Sequence, residues 1–223
     1  MMAPEFDVAV LGPVLELLIA AVLFWPVQWL SRRYQRSAGT SVARARAEAA
    51  ATFLGLWLMS ALGLAAFDAG LPLSAWLAFS AVAVAAVRID LREHRLPNPL
   101  TLLAFVCVAV LLLLAAVLSG DWARLASAGA CSAASGVTFL LLAFIAPRGL
   151  GMGDVKFSLS VGLILGWLGP AVAVAGFLVA FISAAVGGIA VIVLRRGSLK
   201  SQLAFGPAMV LGSIVALALS ATG

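Results

Sequence analysis

The sequence predicts an all-α, polytopic transmembrane helix bundle of about eight spans with both termini outside. Of its 223 residues, 64% are hydrophobic and 10% are charged. Ordinary soluble domains carry about 25% charged residues, so there is too little polar surface here to face water. The apolar stretches run to about 20 residues, the length that crosses a bilayer as a helix. They show no period-2 alternation, which excludes the other fold that satisfies its own backbone in lipid, a closed barrel.

Taken in order, the expected spans are 8–30, 50–67, 71–89, 99–119, 125–146, 154–168, 171–194 and 203–221. The first follows Glu5 and Asp7, acids where the leading region of a signal peptide carries bases, so it reads as a span. The polar stretch 31–48 reads as a loop or a short amphipathic helix. Asn98 suits an N-cap and Pro99 a first helical position, which predicts an abrupt start to the fourth span. The sixth span is short, and Gly169-Pro170 reads as a tight turn into the seventh. Residues 1–70 form a unit of two spans with a basic cytoplasmic loop, and 71–223 a six-span core.

Orientation follows from the bases. Arg32, Arg33, Arg36, Arg44 and Arg46 share one loop, and Arg88, Arg92 and Arg95 the next loop on that side. Arg148, Lys156, Arg195, Arg196 and Lys200 complete it, leaving only Arg124 of the fourteen basic residues on the other face. The positive-inside rule makes the rich face cytoplasmic. Trp122 and Trp167 are then expected at the outer interface and Trp29 at the inner one. The net charge of +5 is explained by topology, so no nucleic-acid partner is expected. Cys107 and Cys131 lie in apolar segments without metal-ligand spacing, and neither a disulfide nor a metal or other cofactor is expected.

Most of the nine acids lie in connecting segments and read as solvated. Glu16 is the exception among the outer residues, an ionisable group inside a span and hence a functional candidate, or one facing a water-filled gap. Asp90 and Asp154 differ from the rest because each sits at a helix end on the cytoplasmic side, at the same depth. Asp154 follows the glycine-rich run Gly149-Leu150-Gly151-Met152-Gly153, which allows a bend and a close approach of another segment. Two carboxylates brought together can hydrolyse an amide without a metal: one ionised group takes a proton from water, while its protonated partner donates to the substrate. They share a proton because both cannot ionise at close range. Against this stands the reading of both as surface ion pairs beside arginines, which contribute little. From the helix macrodipole, Asp90 at a C-terminus is the expected acid and Asp154 at an N-terminus the expected base. His94, beside arginines, reads as a solvated loop residue. Gly162 and Gly166 have the small-xxx-small spacing of helix packing.

These residues resemble a known family. Asp90 with Arg95-Leu96-Pro97-Asn98-Pro99-Leu100-Thr101 is similar to the first signature of type IV prepilin peptidases. Gly151-Met152-Gly153-Asp154-Val155-Lys156 resembles the second, and Phe205-Gly206-Pro207 a third feature. The resemblance covers about residues 71–221. It implies an intramembrane aspartyl protease of the bacterial inner membrane. Such an enzyme clips basic leaders from type IV pilin-like precursors at the cytoplasmic face, in contact with membrane lipid. By the same resemblance Asp90 and Asp154 become the catalytic pair. Gly151, Gly153, Pro97, Asn98, Gly206 and Pro207 shape the loops, and Lys156 positions substrate or tunes Asp154. Longer members carry two Cys-x-x-Cys pairs after the first span and also methylate the new N-terminus. The 31–48 stretch has no cysteine, so neither a zinc-supported lobe nor N-methylation is carried over.

Two other readings stay open at this level. Proteases of the presenilin and signal peptide peptidase type share Gly-x-Gly-Asp. However, they pair it with Tyr-Asp, where this chain has Ile89-Asp90, and Gly206-Pro207-Ala208-Met209 only partly matches their Pro-Ala-Leu segment. A small proton-coupled transporter could use both aspartates, although transport sites usually lie near the midplane. A non-catalytic component of a secretion or pilus machine is a further possibility.

Overall fold

A computed structural model describes residues 42–67, 70–93, 96–146, 150–193 and 205–222. The expected first span, Glu16, Trp29, most of the 31–48 stretch, Asp68, His94, Arg95, Arg148, Gly149, Arg195, Arg196 and Lys200 lie outside the described residues. All regular elements among the described residues are helices: α1 (Val42–Ala66), α2 (Leu71–Glu93), α3 (Asn98–Ser119), α4 (Trp122–Ile145), α5 (Met152–Leu168), α6 (Pro170–Val193) and α7 (Gly206–Thr222). Four helical stretches, Leu71–Leu91, Asn98–Ser119, Trp122–Ile145 and Pro170–Ala190, are long and apolar enough to cross a membrane. The chain therefore has the fold of a helical membrane protein.

Helix ends fall where local chemistry puts them. α1 starts at Val42 rather than near residue 50, because the intervening Ala-Arg-Ala-Arg-Ala-Glu sequence is made of strong helix formers. α3 stops at Gly120, whose left-handed φ of 76° a residue with a Cβ would rarely adopt. Asp121 then opens α4 by accepting the Arg124 amide at 3.2 Å, and its carboxylate also pairs with Arg124 Nε at 3.0 Å. A single residue, Gly169, separates α5 from Pro170, the first residue of α6.

The helices close into a ring in which α1 packs on both α2 and α7, while α5 fills the centre against α2, α3, α4, α6 and α7. That position explains how a helix of only 17 residues serves here: most of its side chains are buried in protein. The closest packing is between α4 and α5. A Cβ on Gly162 would lie 2.7 Å from the Cys131 carbonyl oxygen, and one on Gly166 would lie 2.6 Å from the Cys131 Cβ. Three hydroxyls sew the seam, Ser127 to the Gly166 carbonyl, Ser132 to that of Leu159 and Ser135 to that of Ser158, at 2.8, 2.9 and 3.0 Å. Trp167, expected in an outer aromatic belt, is instead only 3% exposed, enclosed because it belongs to this central helix. Trp122, in contrast, is exposed.

α1 is fastened to α2 by the Trp76 indole, whose Nε1 donates to the Met59 carbonyl at 2.7 Å beside the notch left by Gly63. From there a run of rings, Phe67, Trp76, Phe79 and Phe157, crosses α2 and reaches the first turns of α5 at centroid spacings of 5.7 to 6.2 Å. Substituting Gly162 by Leu should push α4 from α5 at a cost of about 1–3 kcal/mol. A lowered melting temperature in detergent, with helical circular dichroism retained at 20 °C or so, checks it.

Candidate active site

Four chain segments meet at one end of the bundle: the last turn of α2, the connection into α3, and the N-termini of α5 and α7. Asp90 lies on the last turn of α2 and is 2% exposed; Asp154 lies on the first turn of α5 and is 8% exposed. The two aspartates are 64 residues apart in sequence (154 − 90), yet Leu96 approaches both Gly153, next to Asp154, and Gly206, whose amide holds Asp90.

Each carboxylate is held by a backbone amide at the start of a helix. Gly206 N–H donates to Asp90 Oδ2 at 2.9 Å, and Gly206 is the first residue of α7. Gly151 N–H donates to Asp154 Oδ2 at 2.9 Å, which makes Asp154 a cap on its own helix α5. Asp154 Oδ1 is buried without a hydrogen-bond partner among the described residues. The sequence contrasted a helix C-terminus for Asp90 with an N-terminus for Asp154. That contrast dissolves in three dimensions, because Asp90 is gripped by the N-terminus of α7 and both carboxylates accept an amide at a positive helix end.

A Cβ at these glycines would crowd the site, most of all at Gly153 against backbone and at Gly206 against a carboxylate. A Cβ on Gly206 would stand 2.8 Å from Asp90 Oδ2. A Cβ on Gly153 would stand 2.7 Å from the Leu96 carbonyl oxygen, and one on Gly151 would stand 3.3 Å from Asp154 Oδ2. Pro207 is half-buried in the first turn of α7.

The connection into α3 departs from its sequence reading in one detail. The N-cap position is occupied by Pro97, with φ −66° and ψ 129°, and no side chain caps the helix. Asn98 is the first helical residue, and its Oδ1 accepts from Lys156 Nζ at 2.9 Å. The expected cap is thus committed elsewhere. Lys156 is exposed, and its ammonium braces α5 against the start of α3. Leu96 and Phe205 were not among the residues singled out for their contacts. Leu96 is buried in a connecting segment, and Phe205 packs on Phe139 and Phe181 at centroid distances of 5.4 and 5.5 Å, just before the Gly206 amide. Only the quoted motifs could have flagged them, since an aliphatic or aromatic residue carries no chemical signature.

Two acids are enclosed at one end of an apolar helical bundle. Residues 76–194, more than half of the 223, match the type IV leader peptidase family, and the chain belongs to that family. It is accordingly a peptidase. No curated protein and no solved structure matches the chain.

A Gly206→Ala exchange must displace the Asp90 carboxylate, and Gly153→Ala must part α5 from the Leu96 backbone. Each is expected to lower peptide cleavage at least tenfold, roughly the effect of a sub-ångström misplacement. Gly129→Ala is the control, because nothing lies within 4 Å of the added Cβ; initial rates on a common substrate separate the three.

Proposed function

We propose that the protein is an aspartyl endopeptidase that removes the basic leader from type IV pilin-like precursors at the cytoplasmic membrane face, with Asp90 and Asp154 as the catalytic pair. The observation that carries this reading is the pair of buried carboxylates, each accepting a helix-terminal amide, in a chain that belongs to the leader peptidase family. The anchor fixes each carboxyl group, and Oδ1 of Asp154 has no hydrogen-bond partner among the described residues.

In this mechanism one carboxylate is ionised and the other protonated, and the proton belongs to the pair rather than to either residue. The ionised member takes a proton from a water molecule as the water oxygen bonds to the scissile carbonyl carbon. The protonated member donates to the carbonyl oxygen. As the gem-diol intermediate collapses, the C–N bond breaks, the departing amine takes up a proton from the first carboxyl group, and a diol hydroxyl returns its proton to the second, restoring the shared proton; the new carboxylic acid then ionises to solvent. The products are the leader with a new carboxylate and the mature chain with a new N-terminal amine. Gly151, Gly153, Gly206 and Pro207 keep the segments close, and Pro97, Asn98 and Lys156 hold the α2–α3 connection over α5.

The same reading places the protein in a bacterial inner membrane with eight spans, both termini outside, and the 71–223 core behind two N-terminal spans. The hydrophobic helix of the precursor then reaches the carboxylates from the lipid, with its basic leader on the cytoplasmic side. The family match favours a leader peptidase over a presenilin-type protease, and over a transporter that would use the same aspartates as a proton relay.

The test is cleavage of a model precursor, a basic leader followed by a hydrophobic helix, by purified protein in liposomes. Asp90→Asn and Asp154→Asn should each fold and lose activity by about 10³-fold or more, in line with removing a group that acts in the bond-breaking step. The wild type should show a bell-shaped dependence of kcat/KM on pH, and mass spectrometry should find the new N-terminus just before the hydrophobic segment. Full activity of either Asn variant would remove that residue from the mechanism.

A further inference from the structure

The two anchored carboxylates sit on separate helices, so something must set the distance between them, and among the described residues Leu96 approaches both helix starts. It lies in the short break between α2 and α3, where connecting segments normally run over the surface. Leu96, 7% exposed, and Pro97 are both buried there, while Asn98 and Pro99 at the start of α3 are exposed. Its backbone carbonyl and its Cβ approach Gly153, at 2.7 and 2.8 Å from the place a Cβ would take there. Its Cδ2 reaches Gly206, 3.4 Å from the corresponding point. Gly153 precedes Asp154 in α5, and the Gly206 amide holds Asp90. One side chain therefore spans from the helix that carries one carboxylate to the helix start that grips the other.

Its own position is stiff. The residue before a proline is restricted to extended backbone, and Pro97 is fixed in turn by accepting the Leu100 and Thr101 amides at 3.0 and 3.2 Å. From the outside, the Lys156 to Asn98 bond ties the same connection to α5.

We propose that Leu96 is a positioning residue, a spacer whose isobutyl group sets the separation of the Asp90 and Asp154 carboxylates. The inference rests on the paired-aspartate reading and adds the element that holds the pair at working distance. Shortening the side chain removes the strut between Gly153 and the start of α7, and the carboxylates lose their mutual geometry. The expected consequence is a loss of kcat with KM preserved.

The experiment uses the full chain in liposomes and the model precursor described above, with Leu96→Ala, Leu96→Val and Leu96→Met. Leu112→Ala serves as a control for destabilisation alone, being a fully buried core residue on α3 in its fourth turn. All assays are run well below the melting temperature of each variant. Leu96→Ala should lower kcat by about 100-fold, the scale of an ångström misplacement, with KM within about twofold. Leu96→Val should fall between, so the series is readable even where Leu96→Ala fails to fold. Leu96→Met, close in volume and able to bend into the same space, should keep at least a third of wild-type kcat. The proposal is overturned if Leu96→Ala, or Leu96→Val in its place, retains kcat within about threefold. It is equally overturned if the loss appears in KM, or if Leu112→Ala at the same drop in melting temperature loses as much kcat. Asp90→Asn and Asp154→Asn run beside them: their inactivity together with an active Leu96→Ala would sink the spacer and leave the pair standing, and their activity would sink both.

Discussion

α5 carries a carboxylate on its first turn and is only 17 residues long, so it cannot stand in lipid on its own terms. Unsatisfied polar groups in hydrocarbon cost several kcal/mol each, and the rest of the bundle is arranged to keep α5 out of it. Glycines at 162 and 166 bring α4 to backbone contact, three serine hydroxyls of α4 bond to α5 carbonyls, and α3, α6 and α7 cover its other sides. Enclosure also fixes the helix start in place, which is what gives Asp154 a defined position. The other acid is handled by a different device. Asp90 stays on α2 and borrows the N-terminal amide of α7, so the last described helix of the chain is tied to the site through one hydrogen bond and one glycine.

Much of this was written plainly in the residues. Gly120 with Asp121, and Gly169 with Pro170, end and restart helices through backbone preferences that act within a few residues. The small-residue spacing at Gly162 and Gly166 marks a packing face for the same local reason. The position of both aspartates at helix ends followed from hydropathy and charge, which locate the edges of apolar runs. The family motifs added the connection between segments far apart in sequence.

What stayed hidden was set by tertiary contact. Asp90 looked like a residue at a helix C-terminus, and no local rule could disclose that the start of α7 arrives to bond it. Asn98 has the side chain of a cap, but Lys156 from another helix competes for its oxygen. Trp167 has the composition of an interfacial residue, yet its helix is the one that the others surround. α1 begins earlier than hydropathy suggested because helix propensity extends past the end of an apolar run. Leu96 is the extreme case, an ordinary aliphatic whose importance lies wholly in what two glycines allow it to touch.

The two-residue turn at Gly120 and Asp121 makes α3 and α4 a hairpin whose arms contact each other little and α5 a great deal. During synthesis this hairpin emerges before the helix that fills it. Until then the hydroxyls of Ser127, Ser132 and Ser135 have no α5 carbonyls to bond, and the arms have no reason to hold their final angle. Arrival of α5 closes the wedge and delivers Asp154 in the same event. A nascent chain therefore gains Asp154 in the step that closes the hairpin on α5, while the amide that holds Asp90 waits for α7.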